Sequence, residues 1–101
     1  MTDEEKLFVD HAEPWGIILF SRNIQDAEQV RALVDEVRAL LGRGDMPVLV
    51  DQEGGRVQRF KPPLTELHPP PAAYAGAYAD SREAGLEAAK LGARLIAHEL
   101  K

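Results

Sequence analysis

Residues 47–60 read Pro-Val-Leu-Val-Asp-Gln-Glu-Gly-Gly-Arg-Val-Gln-Arg-Phe, and the parsing of the remaining chain follows from this segment. Pro47 to Val50 is a short apolar run with two valines. Gly42, Gly44 and Pro47 bound it in front and a glycine pair bounds it behind, which predicts a buried strand rather than a helix. Asp51 and Glu53 stand where that strand runs out. Their spacing of two puts them on one side if extended geometry persists, with Gly54 and Gly55 letting the backbone turn sharply behind them. Arg56 and Arg59 follow at a spacing of three, so one helical turn aims both guanidinium groups back toward the carboxylates. Carboxylates and arginines at the carboxyl end of a parallel strand stand where open α/β sheets and α/β barrels bind ligands. The same residues also fit an ion-paired turn that merely closes the strand, and spacing does not separate the two readings.

Upstream, Gly16 to Phe20 is apolar at every position without alternation, the pattern of a strand covered on both faces, as in parallel sheets. Asp26 with Gln29 marks a helix start. Val30, Leu33, Val34, Val37, Leu40 and Leu41 then form one apolar stripe at helical spacing, with Arg31, Asp35, Glu36 and Arg38 off it and Gly42 as the stop. Strand, helix, strand over residues 16–51 is a βαβ unit with a right-handed crossover. Its two strands point their carboxyl ends the same way, so the loop Ser21, Arg22, Asn23 and the segment from Asp51 to Arg59 are expected to share one rim. In that loop the arginine and asparagine fit either ligand presentation or plain turn chemistry, Asn23 supplying turn hydrogen bonds and Arg22 pairing with a carboxylate. Ahead of the first strand, Thr2 and Glu5 have capping-box spacing, which predicts a helix over about residues 3–12 with Leu7, Phe8 and His11 inward and Pro14 ending it.

Downstream, prolines at 62, 63, 69, 70 and 71 remove amide donors and predict an extended loop. His68 within it has no partner at ligand spacing and reads as a packing or surface residue. Asp80 or Ser81 caps a last helix with Leu86, Ala89, Ala93, Ile96, Ala97 and Leu100 as its inner face, while His98 and Glu99 near its end are expected to meet solvent or the helix terminus. Tyr74 and Tyr78, four apart, fit packing or stacking on a sugar ring. No repeat or composition shift marks an internal boundary, and the proline-rich stretch is the one place where such a boundary is expected.

The totals exclude several classes. At 101 residues the chain is one domain or a piece of one. A formal net charge of -5 argues against binding nucleic acid, which calls for a basic face. The absence of cysteine removes disulfides and thiolate metal sites. The longest apolar run, Trp15 to Phe20, is far short of the roughly 20 residues that cross a bilayer. With an acidic amino terminus lacking a signal-type apolar core, the expectation is a cytoplasmic protein without a membrane partner. Neither a dinucleotide fingerprint nor a nucleotide-binding Lys-Ser/Thr loop occurs, and no histidine pair has metal-ligand spacing. Asp51 with Glu53 alone makes a thin Mg²⁺ site.

Gly-Ile-Ile-Leu-Phe-Ser-Arg-Asn-Ile at 16–24, a helix, then Val-Asp-Gln-Glu-Gly-Gly-Arg-Val-Gln-Arg-Phe at 50–60 resembles the glycoside hydrolase family 3 amino-terminal domain. Within that family the similarity is to the bacterial β-N-acetylhexosaminidases of peptidoglycan recycling. The resemblance implies a TIM (β/α)8 barrel, a fold of roughly 250 residues. The expected fold class is therefore α/β, a partial barrel of about two parallel strands with three helices. Residues 1–101 are expected to be the amino-terminal portion of the catalytic barrel. The resemblance further implies that Asp51 and Arg59 hold the non-reducing sugar through its hydroxyls, with Glu53 and Arg56 as supporting residues. A carboxylate accepts hydroxyl hydrogens and a guanidinium offers a planar fork of donors. It implies retaining hydrolysis of terminal β-linked N-acetylglucosamine from muropeptides, with no metal and no organic cofactor. The family's nucleophile and acid/base are expected beyond Lys101, so no catalytic residue is assigned within the chain. A partial barrel also exposes strand edges, from which self-association is expected. The alternative is a non-catalytic α/β module that binds a carbohydrate or a protein.

Overall fold

The structure, a computed structural model, describes residues 1–101 and divides into two compact units, residues 1–50 and 51–101. The division falls directly after the strand of residues 48–50 and not in the proline-rich stretch.

In the first unit, helix α1 (Asp3–Ala12) begins with the capping box read from the sequence. Thr2 Oγ1 accepts the Glu5 amide at 3.2 Å, and the Glu5 carboxylate accepts the Thr2 amide at 2.7 Å. The helix stops one residue before Pro14, at Glu13, whose φ of 45° is left-handed. Strand β1 (Ile17–Leu19) leads into a 3₁₀ turn at Ser21–Asn23, then helix α2 (Ala27–Leu41) and strand β2 (Val48–Val50). Asp26 caps α2 through the Gln29 amide at 2.8 Å, and Gly42 ends it at φ 62°. All six residues of the predicted α2 stripe are withdrawn from solvent to some degree, Val37 fully. β1 and β2 pair in parallel with Ile17, Ile18 and Leu19 opposite Val48, Leu49 and Val50. Leu19, Val37 and Met46 form the buried core, and the Arg38 guanidinium donates to the Met46 carbonyl at 3.1 Å from Nη2.

Two expectations for this unit fail. Leu7, Phe8 and His11 are exposed, because α1 meets α2 through an edge bearing Lys6 and Val9, with Lys6 Nζ 2.8 Å from Glu36. The strands are covered on one face only: Ile18 and Leu49, which are register partners, are both about half exposed.

In the second unit, strands β3 (Gln52–Gly54) and β4 (Val57–Gln58) form an antiparallel hairpin, then come helix α3 (Pro71–Asp80) and helix α4 (Arg82–Glu99). The chain thus has four α-helices where the sequence reading has three. Pro71 sits at the first position of α3, where its missing amide is no loss. Helices α3 and α4 approach closely over two glycines. A Cβ on Gly85 would run into the Tyr78 backbone, and one on Gly92 would meet the Tyr74 ring. Tyr74 thus packs its ring over Gly92, whereas Tyr78 meets Gly85 through its backbone and Cβ and leaves its side chain exposed. The buried positions of α4 are Gly85 and Gly92, while Leu86, Ala93, Ala97 and Leu100 are exposed. The inner face is therefore rotated from the one predicted, since it is set by the closest backbone approach and not by the largest side chains.

Gly85→Ala is expected to destabilise the chain by about 1–3 kcal/mol through overpacking against backbone. Gly76→Ala, at a helical position with nothing within 4 Å of the added carbon, is expected to stabilise it by about 0.5–1 kcal/mol. Urea unfolding midpoints of the two variants should move in opposite directions.

Candidate functional site

The candidate residues 51–59 lie in the second unit, and their arrangement starts from the glycine pair. Gly54 (φ 89°) and Gly55 (φ 60°) take backbone conformations closed to most side chains. Each also abuts the loop after the hairpin. A Cβ on Gly54 would strike the Pro69 carbonyl, and one on Gly55 would come within 2.7 Å of Pro70 Cβ. The Gly55 amide donates to the His68 carbonyl at 2.9 Å. Chain reversal at this point makes Arg56 a turn residue and puts Arg59 just past β4, so the helical turn expected to align the two arginines is replaced by a hairpin.

Of the four candidates, the structure brings two together. Arg59 Nη2 donates to Asp51 Oδ2 at 3.4 Å, with the arginine side chain a quarter exposed and the aspartate two-fifths exposed. The contact uses one carboxylate oxygen and one guanidinium nitrogen, and it is longer than the 2.7–2.9 Å usual for a charge-assisted bond. Glu53 and Arg56 are both exposed, and no hydrogen bond or ion pair joins them. The hairpin register slips between Gln52 and Gly54, so the alternation expected to put Glu53 beside Asp51 is broken.

The sequence reading passes over the residues that fix Arg59. Gln52 Oε1 accepts from both the Arg59 and the Phe60 amides at 3.0 Å, while Gln52 Nε2 donates to the Phe60 carbonyl at 2.9 Å. Gln58, almost fully buried, donates from Nε2 to the carbonyls of Phe60 at 2.9 Å and Glu66 at 2.7 Å, and accepts the His68 amide on Oε1 at 2.9 Å. Thr65 Oγ1 adds a third donor to the Phe60 carbonyl at 2.8 Å. His68 is buried and donates from Nε2 to Glu99 Oε2 at 2.6 Å, and Glu99 Oε1 accepts the Glu66 amide at 3.0 Å. Glu99 is therefore a structural anchor, not the solvent-facing residue expected. The His68 hydrogen bond, then the Glu66 amide, hold its carboxyl below the ordinary value of 4.5.

In the first unit, Asn23 Oδ1 accepts the Phe20 amide at 3.0 Å, the turn role open to it from sequence. Arg22 pairs with no carboxylate; its guanidinium lies 5.1 Å from the centre of the Phe20 ring. No cluster of three His, Asp or Glu side chains is placed to hold a metal ion, and no helix is long and apolar enough to cross a membrane.

No family model matches the chain. It is 46% identical over 101 residues to a β-hexosaminidase of Methylococcus capsulatus, covering all of this chain and 28% of that protein. A β-hexosaminidase of Alkalilimnicola ehrlichii is 47% identical over 78 residues, covering 77% of this chain and 22% of that protein. Among solved structures, NagZ from Neisseria gonorrhoeae in complex with N-trifluoroacetyl-D-glucosamine superposes with a TM-score of 0.85 at 37% identity, over 99% of this chain and 29% of that one. The chain thus spans less than a third of the length of the relatives it matches, and its α/β fold agrees with part of a NagZ barrel.

Because the folded carboxyl of Glu99 titrates below its unfolded value, its stabilisation is complete above pH about 4.5 and is lost as pH falls through the lowered value. The unfolding free energy of the native chain should therefore fall more steeply below pH 4.5 than that of Glu99→Gln. Urea titrations of both between pH 3 and 6 measure the difference.

Proposed function

We propose, from the premise that this chain belongs by sequence and fold to the β-hexosaminidase family of glycoside hydrolases, that Asp51 and Arg59 grip the hydroxyls of a terminal N-acetylglucosamine. The observation that carries the reading is their convergence at 3.4 Å in a half-exposed position. An ionised carboxylate accepts two hydroxyl hydrogens while a guanidinium donates through a planar fork, so the pair fixes the orientation of a sugar ring. The bound N-trifluoroacetyl-D-glucosamine of the Neisseria relative supports a ligand of this class.

In this proposal residues 1–101 are the amino-terminal portion of a cytoplasmic family 3 barrel acting on peptidoglycan-derived muropeptides. The reaction is retaining hydrolysis through a glycosyl-enzyme intermediate, in which one carboxyl group acts as nucleophile and a second group as acid and then base. Those two groups belong to parts of the family barrel outside the matched portion, and residues 51–59 orient the sugar toward them. Glu53 and Arg56 are peripheral supporting residues. The exposed side chains Leu7, Phe8, Trp15, Ile18 and Leu49 favour self-association when residues 1–101 stand alone.

Titration of the ¹⁵N-labelled chain with N-acetylglucosamine tests this reading. Asp51→Ala and Arg59→Ala should each weaken binding about 10- to 100-fold, the worth of roughly 1.5–3 kcal/mol for hydrogen bonds to a charged group. Glu53→Ala and Arg56→Ala should change it less than about 3-fold, since these exposed groups lose little on truncation. Equal effects at all four positions would reject the two-residue grip.

A chromogenic N-acetyl-β-glucosaminide should not be turned over by residues 1–101. Turnover abolished by Asp51→Ala would show instead that the chain carries its own catalytic set.

A further inference from the structure

Three of the four backbone polar atoms of the Arg59–Phe60 segment are held by side chains. Its Arg59 and Phe60 amides both point at Gln52 Oε1, and the Phe60 carbonyl takes donors from Gln52, Gln58 and Thr65. Gln58 is in turn fixed by the loop at Glu66 and His68, and that loop is tied to the end of α4 by two bonds to one carboxylate, Glu99. Residues 31 positions apart in sequence, His68 and Glu99, are thus the far end of a continuous chain of hydrogen bonds that terminates at the backbone of Arg59. Asp51 takes its hydrogen bond from Arg59 and makes none with Glu99, His68 or Gln58.

We infer that Glu99, acting through His68 and Gln58, is a positioning residue for Arg59, and that the Glu99 anchor sets how firmly the guanidinium is presented opposite Asp51 and so how tightly the sugar is held. The physical step is transmission through a satisfied polar network: removing the carboxylate frees the Glu66 amide and the His68 ring, the loop loses its fixed end, and Gln58 loses the partners that keep it on the Phe60 carbonyl. Position 99 suits the test because it is the last residue of α4, away from the Gly85 and Gly92 contacts that hold α3 on α4.

The assignment rests on the sugar-gripping reading of Asp51 and Arg59, and the experiment separates the two. The full 101-residue chain is prepared as Glu99→Ala, Glu99→Gln and, as a control for lowered stability alone, Gly85→Ala. Amide hydrogen exchange at Arg59 and Phe60, the Arg59 side-chain NMR resonance and the affinity for N-acetylglucosamine are read in each. Glu99→Ala should speed exchange at Arg59 and Phe60 about tenfold relative to the amides of α4, shift the Arg59 side-chain resonance, and weaken sugar binding several-fold. Glu99→Gln, whose amide oxygen still accepts from the loop, should restore most of both, while Gly85→Ala should move neither selectively. Uniformly faster exchange in Glu99→Ala, with the Arg59 resonance unmoved, overturns the inference. So does unchanged sugar affinity in Glu99→Ala when Arg59→Ala abolishes binding, and that result leaves the grip itself intact. Should the native chain bind no sugar, the grip is what fails. The Arg59 resonance and exchange then decide the positioning role by themselves, a selective change supporting it and no change overturning it.

Discussion

The side-chain amide of Gln58 is buried within residues 51–101, and an amide there is tolerated only if its donors and its oxygen find partners. The partners available are backbone groups of Phe60, Glu66 and His68, so the chain after β4 has to curl back around one side chain. That requirement propagates. The returning loop brings residues 68–70 against the hairpin so closely that positions 54 and 55 admit no Cβ, which is why a glycine pair stands there. A polar hub of this kind specifies one conformation where an apolar one would accept several, because any alternative leaves a buried donor or acceptor unmatched.

Residues 1–50 are built on a different principle. Two three-residue strands pair in parallel, and parallel pairing obliges a crossover, supplied by α2 with its single apolar stripe. The core this makes is thin: Leu19, Val37 and Met46 are its fully buried apolar members. Ile18 and Leu49 sit side by side on the opposite face with nothing over them in residues 1–50. Their apolar character is that of a strand covered on both sides, while about half of each side chain is exposed. Leu7 and Phe8 on α1 are apolar and more exposed still.

What could be read from the sequence was what local chemistry writes into it. Thr2 with Glu5, Asp26 with Gln29, and Gly42 are signals that act within one helical turn, and each sits where the reading put it. The β1–α2–β2 order followed from runs of apolar residues whose period identifies their partner face. The Asp51–Arg59 contact was legible too, but through family resemblance, since spacing alone favoured a helical turn that the glycine pair forbids. Three features were not legible. Helix α3 is alanine-rich with no strong apolar stripe, and the prolines before it masked its start although Pro71 is itself an initiating residue. The glutamines at 52 and 58 act on backbone groups that reach them only after the chain folds back, which no periodicity records. Glu99 meets His68 across 31 positions, so a carboxylate that reads as solvent-facing becomes an anchor.

The Asp51–Arg59 pair does not hold itself in place. Ion pairs this exposed contribute about 0–1 kcal/mol, less than the entropy of ordering a long arginine side chain. The backbone beneath the arginine is fixed independently of the pair, since the Arg59–Phe60 segment is gripped by the side-chain amides of Gln52 and Gln58. Such a division suits the proposed sugar grip. Groups committed to each other by a short, buried, bidentate bond would have to be pulled apart before a hydroxyl could enter. In the proposed grip, groups at a separation longer than a strong hydrogen bond meet a sugar hydroxyl with little mutual attraction to give up. In the proposed positioning role, the polar hub around Gln58 steadies the backbone from which the guanidinium of this weak contact extends.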